Sequence, residues 1–110
     1  MVTVTVKPSG ISFTGEPGQT MMAAANAANI YWPTLCGGEG RCLLCMVSVD
    51  EAGNAALEPP EEHESQTLTR VGRSVAAFRL GCAAKLTGQD VTVTHRKVRP
   101  ATENDRLPFA

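Results

Sequence analysis

Thr34-Leu35-Cys36-Gly37-Gly38-Glu39-Gly40-Arg41-Cys42-Leu43-Leu44-Cys45 is the stretch on which the reading of this chain turns. It puts three glycines and three cysteines into twelve residues. It follows neither the helical nor the strand period of apolar residues, so it needs an external reason to be ordered. Directly after it, Met46-Val47-Ser48-Val49-Asp50 alternates as a strand does. The fourth cysteine of the chain stands apart, in Arg79-Leu80-Gly81-Cys82.

Five residues separate Cys36 from Cys42, two separate Cys42 from Cys45, and 36 separate Cys45 from Cys82. An iron-sulfur cluster needs four thiolates converging on a compact core. Three closely spaced cysteines in a glycine-rich loop can wrap such a core while a distant fourth closes the cage. Gly37, Gly38 and Gly40 allow backbone angles closed to other residues, so the loop can curl with its amides towards the sulfurs. Arg41 either offsets the negative charge of such a centre or is an exposed arginine. Structural zinc also takes four cysteines, but usually as two C-x2-C knuckles, and this chain has one such pair. A thioredoxin-like Cys42-Leu43-Leu44-Cys45 should open a helix after a strand, whereas here the pair precedes a strand and leaves Cys36 and Cys82 unused. Four unrelated buried cysteines would suit Cys82 but not three cysteines within ten residues.

Working outward, Val2, Val4 and Val6 alternate with threonines, and Lys7-Pro8-Ser9-Gly10 turns the chain into Ile11-Ser12-Phe13-Thr14, which predicts a β-hairpin. Thr20 is a plausible N-cap for an alanine-rich helix over 21–28, ending near Asn29. Beyond the strand at 46–50, Glu51-Ala52-Gly53-Asn54 reads as a turn into looser chain. After Pro59-Pro60 a short helix runs to about Val71, with Glu61, Glu62 and Glu64 at its positive end and Arg70 and Arg73 towards its far end. Residues 79–85 read as a short buried strand or extended passage, and 90–95 as the most regular strand of the second half. The pattern predicts one α+β domain over 1–95, a mixed sheet packed on one main helix. Residues 96–110 are expected to be a tail lying on the surface or partly disordered.

The 110 residues and 43% hydrophobic content suit one modest core, built mainly from aliphatic side chains because aromatics make up 5%. The net charge of −1 conceals an asymmetry. Residues 50–64 hold six acids and no base, whereas from Arg70 onward eight bases face three acids. Both runs are read as solvated faces or as docking surfaces, with Glu58, Glu61, Glu62 and Glu64 the candidate docking acids. The bases are scattered and have few aromatics beside them, which argues against nucleic acid. The N-terminus does not read as a signal peptide, and the apolar run at 21–28 is far too short to span a bilayer. A cytoplasmic protein without membrane insertion is expected. His63 and His95 stand singly, without the paired histidines of a Rieske centre. Tyr31 and Trp32 read as ordinary packing or as a shield or partner contact at the cluster loop, and Met21, Met22 and Met46 as core filling.

The run from Cys36 through Val49 resembles the cluster loop and following strand of 2Fe-2S ferredoxins with C-x5-C-x2-C spacing, the adrenodoxin-like and bacterial oxygenase-associated ferredoxins. Arg79-Leu80-Gly81-Cys82 resembles their fourth-ligand motif. The resemblance covers roughly Val2 to His95 and implies a β-grasp fold with one 2Fe-2S cluster. It implies that Cys36 and Cys42 hold the buried iron, and Cys45 and Cys82 the one nearer the surface. The vertebrate, monooxygenase-partner branch commonly has histidine where this chain has Met46, and several aspartates where it has Glu61, Glu62, Glu64, Arg70 and Arg73. The Gly37-Gly38 start and the Arg79-Leu80-Gly81-Cys82 motif look closer to bacterial domains found with oxygenases, cyclases and corrinoid-activating proteins.

No nucleotide-binding glycine motif or nucleophile-base pair is present, so an electron carrier rather than an enzyme is expected. Its partners would be an NAD(P)H-dependent flavoprotein ferredoxin reductase and a terminal enzyme such as a monooxygenase or Rieske-type oxygenase. The alternatives are a ferredoxin for Fe-S assembly, an electron-input subunit of a fixed complex, and a zinc-stabilised interaction module.

Overall fold

The computed structural model describes residues 1–33, 45–105 and 107. The expected hairpin forms from β1 (Val2–Lys7) and β2 (Ile11–Gly15), paired antiparallel with Val4 opposite Phe13. Its alternation has the predicted cause: Val2, Val4 and Val6 are at most 2% exposed, while the threonines between them lie on the other face. Helix α1 (Met21–Ala27) starts where Thr20 Oγ1 accepts the Ala23 N–H at 3.1 Å, a cap worth about 1 kcal/mol. It buries Met21, Met22, Ala24 and Ala25 against the sheet and ends at Asn29, which takes a left-handed φ of 61°.

The short β3 (Ile30–Tyr31) follows, then β4 (Met46–Ser48), α2 (Glu51–Ala55), α3 (Glu62–Arg70), β5 (Phe78–Leu80), β6 (Val91–Thr94) and β7 (Arg99–Pro100). The main sheet runs β2-β1-β6-β4-β5, with β1 and β6 parallel and the other pairs antiparallel. This mixed sheet packed on α1 is the β-grasp arrangement, as expected. No described helix is long and apolar enough to cross a membrane.

One segment differs from the sequence-based expectation. Residues 51–54 were expected as a turn, yet they begin α2, because the Asp50 carboxylate caps it by accepting the Gly53 N–H at 2.7 Å. Gly53 lets this helix lie close on β6: a Cβ there would come within 2.8 Å of the Thr92 carbonyl oxygen. In the segment after residue 95, Val98 is 2% exposed, and β7 pairs antiparallel with β3. The Arg99 guanidinium lies 4.5 Å from the Tyr31 ring centroid. It also donates to both Asp105 carboxylate oxygens at 2.7 and 2.8 Å. That pairing, helped by the Thr102 backbone N–H, holds the Asp105 carboxyl below the usual carboxylate range.

The second half is tied together by a buried ion pair. Glu64 of α3 and Arg79 of β5 each have side chains 1% exposed. Arg79 donates from Nε to Glu64 Oε2 at 2.8 Å and from Nη2 to Oε1 at 3.1 Å. Its remaining donors reach Asn54 Oδ1 in α2 at 2.9 Å and the Glu58 carbonyl at 2.8 Å. Glu64 Oε2 also accepts the Leu80 backbone N–H at 2.8 Å. With every nearby polar group engaged, the desolvation of both charges is offset. Arg79→Met would leave the Glu64 carboxylate buried without its partner, and is expected to lower folding stability by about 3–5 kcal/mol. Denaturant unfolding followed by circular dichroism measures this, and a variant within 1 kcal/mol of the parent, about fivefold in equilibrium, would contradict it.

Candidate metal centre

Cys45 immediately precedes β4, and Cys82 lies two residues beyond β5. The two strands pair antiparallel with Met46 opposite Leu80, so the cysteines emerge from the same end of the sheet. The Gly81 N–H extends the ladder by donating to the Cys45 carbonyl at 3.0 Å. The chain then turns sharply, with the Ala83 and Ala84 N–H groups both reaching back to the Leu80 carbonyl. The start of α1 braces this turn: Met22 N–H donates to the Gly81 carbonyl at 2.9 Å and Met21 N–H to the Ala84 carbonyl at 3.1 Å.

The outcome is that Cys45 Sγ and Cys82 Sγ lie 3.5 Å apart, in residues 0% and 8% exposed. Thiolates bound to one tetrahedral metal ion at about 2.3 Å lie about 3.8 Å apart, while a disulfide closes to about 2.0 Å. The observed separation suits two ligands of a shared metal. Two soft sulfur donors, screened from water, also match what iron-sulfur chemistry requires. Cys36, Cys42, Gly37, Gly38, Gly40 and Arg41 lie outside the described residues.

Beside this pair sits Trp32, 1% exposed, whose indole Nε1–H donates to the Cys45 carbonyl at 3.1 Å. Phe13 meets the ring edge-on at a centroid distance of 6.2 Å, and the His95 ring lies tilted at 6.1 Å. From the sequence Trp32 reads as packing, a shield or a partner contact, and nothing local marks the hydrogen bond itself. The one available signal was the placement of the chain's single tryptophan four residues before Cys36. His63 is exposed, and His95 Nδ1 accepts the Lys97 N–H.

The four candidate docking acids divide. Glu61 and Glu62 are exposed and Glu58 is half-buried. Glu64 must be withdrawn from that set, because its carboxylate faces inward on Arg79 and Leu80. Glu61 is in turn engaged with Lys85 at 3.3 Å on the surface.

A family model described as a 2Fe-2S iron-sulfur cluster binding domain matches residues 4–87. A 2Fe-2S ferredoxin of Pseudomonas aeruginosa is 31% identical over 86 residues, which is 78% of this chain and 76% of that protein. The solved structure of an ISC-like 2Fe-2S ferredoxin from Pseudomonas putida superposes with a TM-score of 0.70 at 29% identity, covering 88% of this chain and 94% of the other. The fold is shared as well with a chain of the covalent putidaredoxin reductase-putidaredoxin complex, with a TM-score of 0.58 at 24% identity, covering 84% and 94% of the two chains.

The packing around the two cysteines is open to direct test at Gly81. A Cβ at that position would overlap Trp32 Nε1 and lie 2.6 Å from Cε2, and the ring is held by Phe13 and His95. Gly81→Ala is therefore expected to destabilise the fold by about 1–3 kcal/mol, as overpacking does. A thermal midpoint equal to the parent's would show that the ring can move aside.

Proposed function

Because this chain belongs to the 2Fe-2S ferredoxin family and carries one 2Fe-2S cluster, we propose that Cys36, Cys42, Cys45 and Cys82 hold that cluster. We propose further that the protein passes single electrons from an NAD(P)H-dependent flavoprotein ferredoxin reductase to a terminal monooxygenase or Rieske-type oxygenase in the cytoplasm. It is an electron-transfer protein rather than an enzyme with a substrate of its own. When bound, the cluster supplies reversible one-electron chemistry.

The 3.5 Å separation of the Cys45 and Cys82 sulfurs is the observation that carries the assignment of these two ligands, while Cys36 and Cys42 are assigned on their spacing. It also agrees with these two cysteines sharing one iron. The β4/β5 pair holds the two thiolates in register, and burial of Cys45 keeps water from its sulfur. Cys82, at 8% exposed, is the more accessible of the two, which supports approach of a partner from its side. Gly37, Gly38, Gly40 and Arg41 serve the same site in this reading, the glycines by turning backbone amides towards sulfur and Arg41 by offsetting charge.

The reductase assignment is supported by the shared fold with putidaredoxin in its covalent complex and by the exposed acids Glu61 and Glu62, with Glu58 beside them. Acidic groups of this kind steer a basic partner before contact, an effect that salt screens.

Two measurements test the proposal. Cys82→Ser should abolish the visible absorption bands of the purified protein and lower its iron content, whereas an unchanged spectrum would remove Cys82 from the ligand set. Glu62→Lys, which leaves the Glu61–Lys85 pair in place, should slow reduction by the flavoprotein several-fold at low ionic strength. The difference should shrink at about 0.5 M salt, where the Debye length is well under the ~10 Å it has at 0.1 M. Equal rates at every ionic strength would reject the electrostatic guide.

A further inference from the structure

We infer that Trp32 is a positioning residue of the cluster site: its indole N–H and ring face lock the backbone of Cys45 to the residue preceding Cys82. The inference rests on the ligand assignment proposed above for these two cysteines.

Four observations converge on it. The Cys45 carbonyl accepts two hydrogen bonds, one from the Gly81 N–H at 3.0 Å and one from Trp32 Nε1–H at 3.1 Å. An indole has one donor and no acceptor, so the whole polar capacity of Trp32 is directed at a ligand's own peptide group. The same ring lies against the α-carbon of Gly81, where a Cβ would come within 2.9 Å of three indole atoms, Nε1, Cε2 and Cζ2. One side chain thus touches the backbone beside both cysteines, whose sulfurs lie 3.5 Å apart. Finally, the ring is 1% exposed and contacted by Phe13 edge-on and His95 at a tilt, so it is held in one orientation.

Packing by itself would be satisfied by any large apolar ring. The hydrogen bond adds two things that packing does not. It restrains the peptide plane at Cys45, and hence the direction in which that thiolate points. It also draws electron density from the Cys45 peptide group, so that a site gaining negative charge on reduction is favoured through the backbone of Cys45 rather than through a hydrogen bond to sulfur. In a dry site this polarisation is weakly screened.

The test uses the cluster-loaded protein in three forms. Trp32→Phe keeps an aromatic ring and removes the donor. Replacing the chain's one tryptophan with β-(3-benzothienyl)alanine removes the donor while keeping the shape. Phe13→Leu removes a contact to the ring and leaves the N–H in place. Both donor-free forms are expected to lower the midpoint potential, shifting the electron-transfer equilibrium roughly three- to tenfold, tenfold being about 59 mV for one electron. They should also alter the g-values of the reduced protein and speed cluster loss to a chelator. Phe13→Leu, which loosens the ring but keeps its N–H, is expected to lower the thermal midpoint and to shift potential and g-values less than either donor-free form. Parent-like potential, g-values and cluster-loss rate in the benzothienyl protein would overturn the inference and leave Trp32 as packing, even if Trp32→Phe fails to fold. Failure of the ligand assignment would show separately, as a normal spectrum in Cys82→Ser.

Discussion

The buried Arg79 guanidinium joins four parts of the chain that would otherwise have little reason to stay together. It pairs with Glu64 from α3, reaches Asn54 in α2, and donates to the Glu58 carbonyl in the connection between them. Asn54 in turn donates from Nδ2 to the Val75 carbonyl at 2.9 Å, bringing the approach to β5 into the same network. Arg79 is set in β5 three residues before Cys82, and Glu64 also takes the Leu80 N–H. The geometry of the distant fourth cysteine is thus anchored by charges buried far from solvent. Such a pair adds little net stability over an apolar substitute, but it is costly to break, and its fixed directions define one arrangement of the helices on the strand.

On the other side of the cysteines the constraint is apolar and local. The α1 N-terminus donates backbone hydrogen bonds to Gly81 and Ala84, and the Trp32 ring fills the space that a side chain at residue 81 would need. Cys82 is therefore gripped from both directions, by the ion pair through Leu80 and by α1 and Trp32 through Gly81. Cys45 gains its position from the same seam, because its carbonyl is shared by Gly81 and Trp32.

The acidic segment divides into two uses that its composition does not distinguish. Glu64 serves the interior, whereas Glu61 and Glu62 remain at the surface one helical turn or less away. A helix places residues three apart on neighbouring positions of one face, but which of the two meets a cation inside depends on what lies beneath. Here the cation comes from a strand fifteen residues further along the chain.

Much of this protein was determined locally by its sequence. The cysteine spacing, the glycines of the loop, the Val2-Val4-Val6 alternation, the Thr20 cap and the acid-first helix after Pro59-Pro60 each involve residues close in the chain. Their physics of period, capping and ligand count can be read without knowing the fold. The tertiary structure decided what depends on residues far apart: the start of α2 on β6, the pairing of β7 with β3, the burial of Glu64 on Arg79, and the hydrogen bond from Trp32 to Cys45. None of these has a local signature, because a carboxylate, an arginine or an indole keeps the same propensity whether its partner is water or a buried group. Only the sheet register, by bringing Cys45 and Gly81 side by side, converts four cysteines in a row of letters into two sulfurs 3.5 Å apart with an indole holding the backbone beside them.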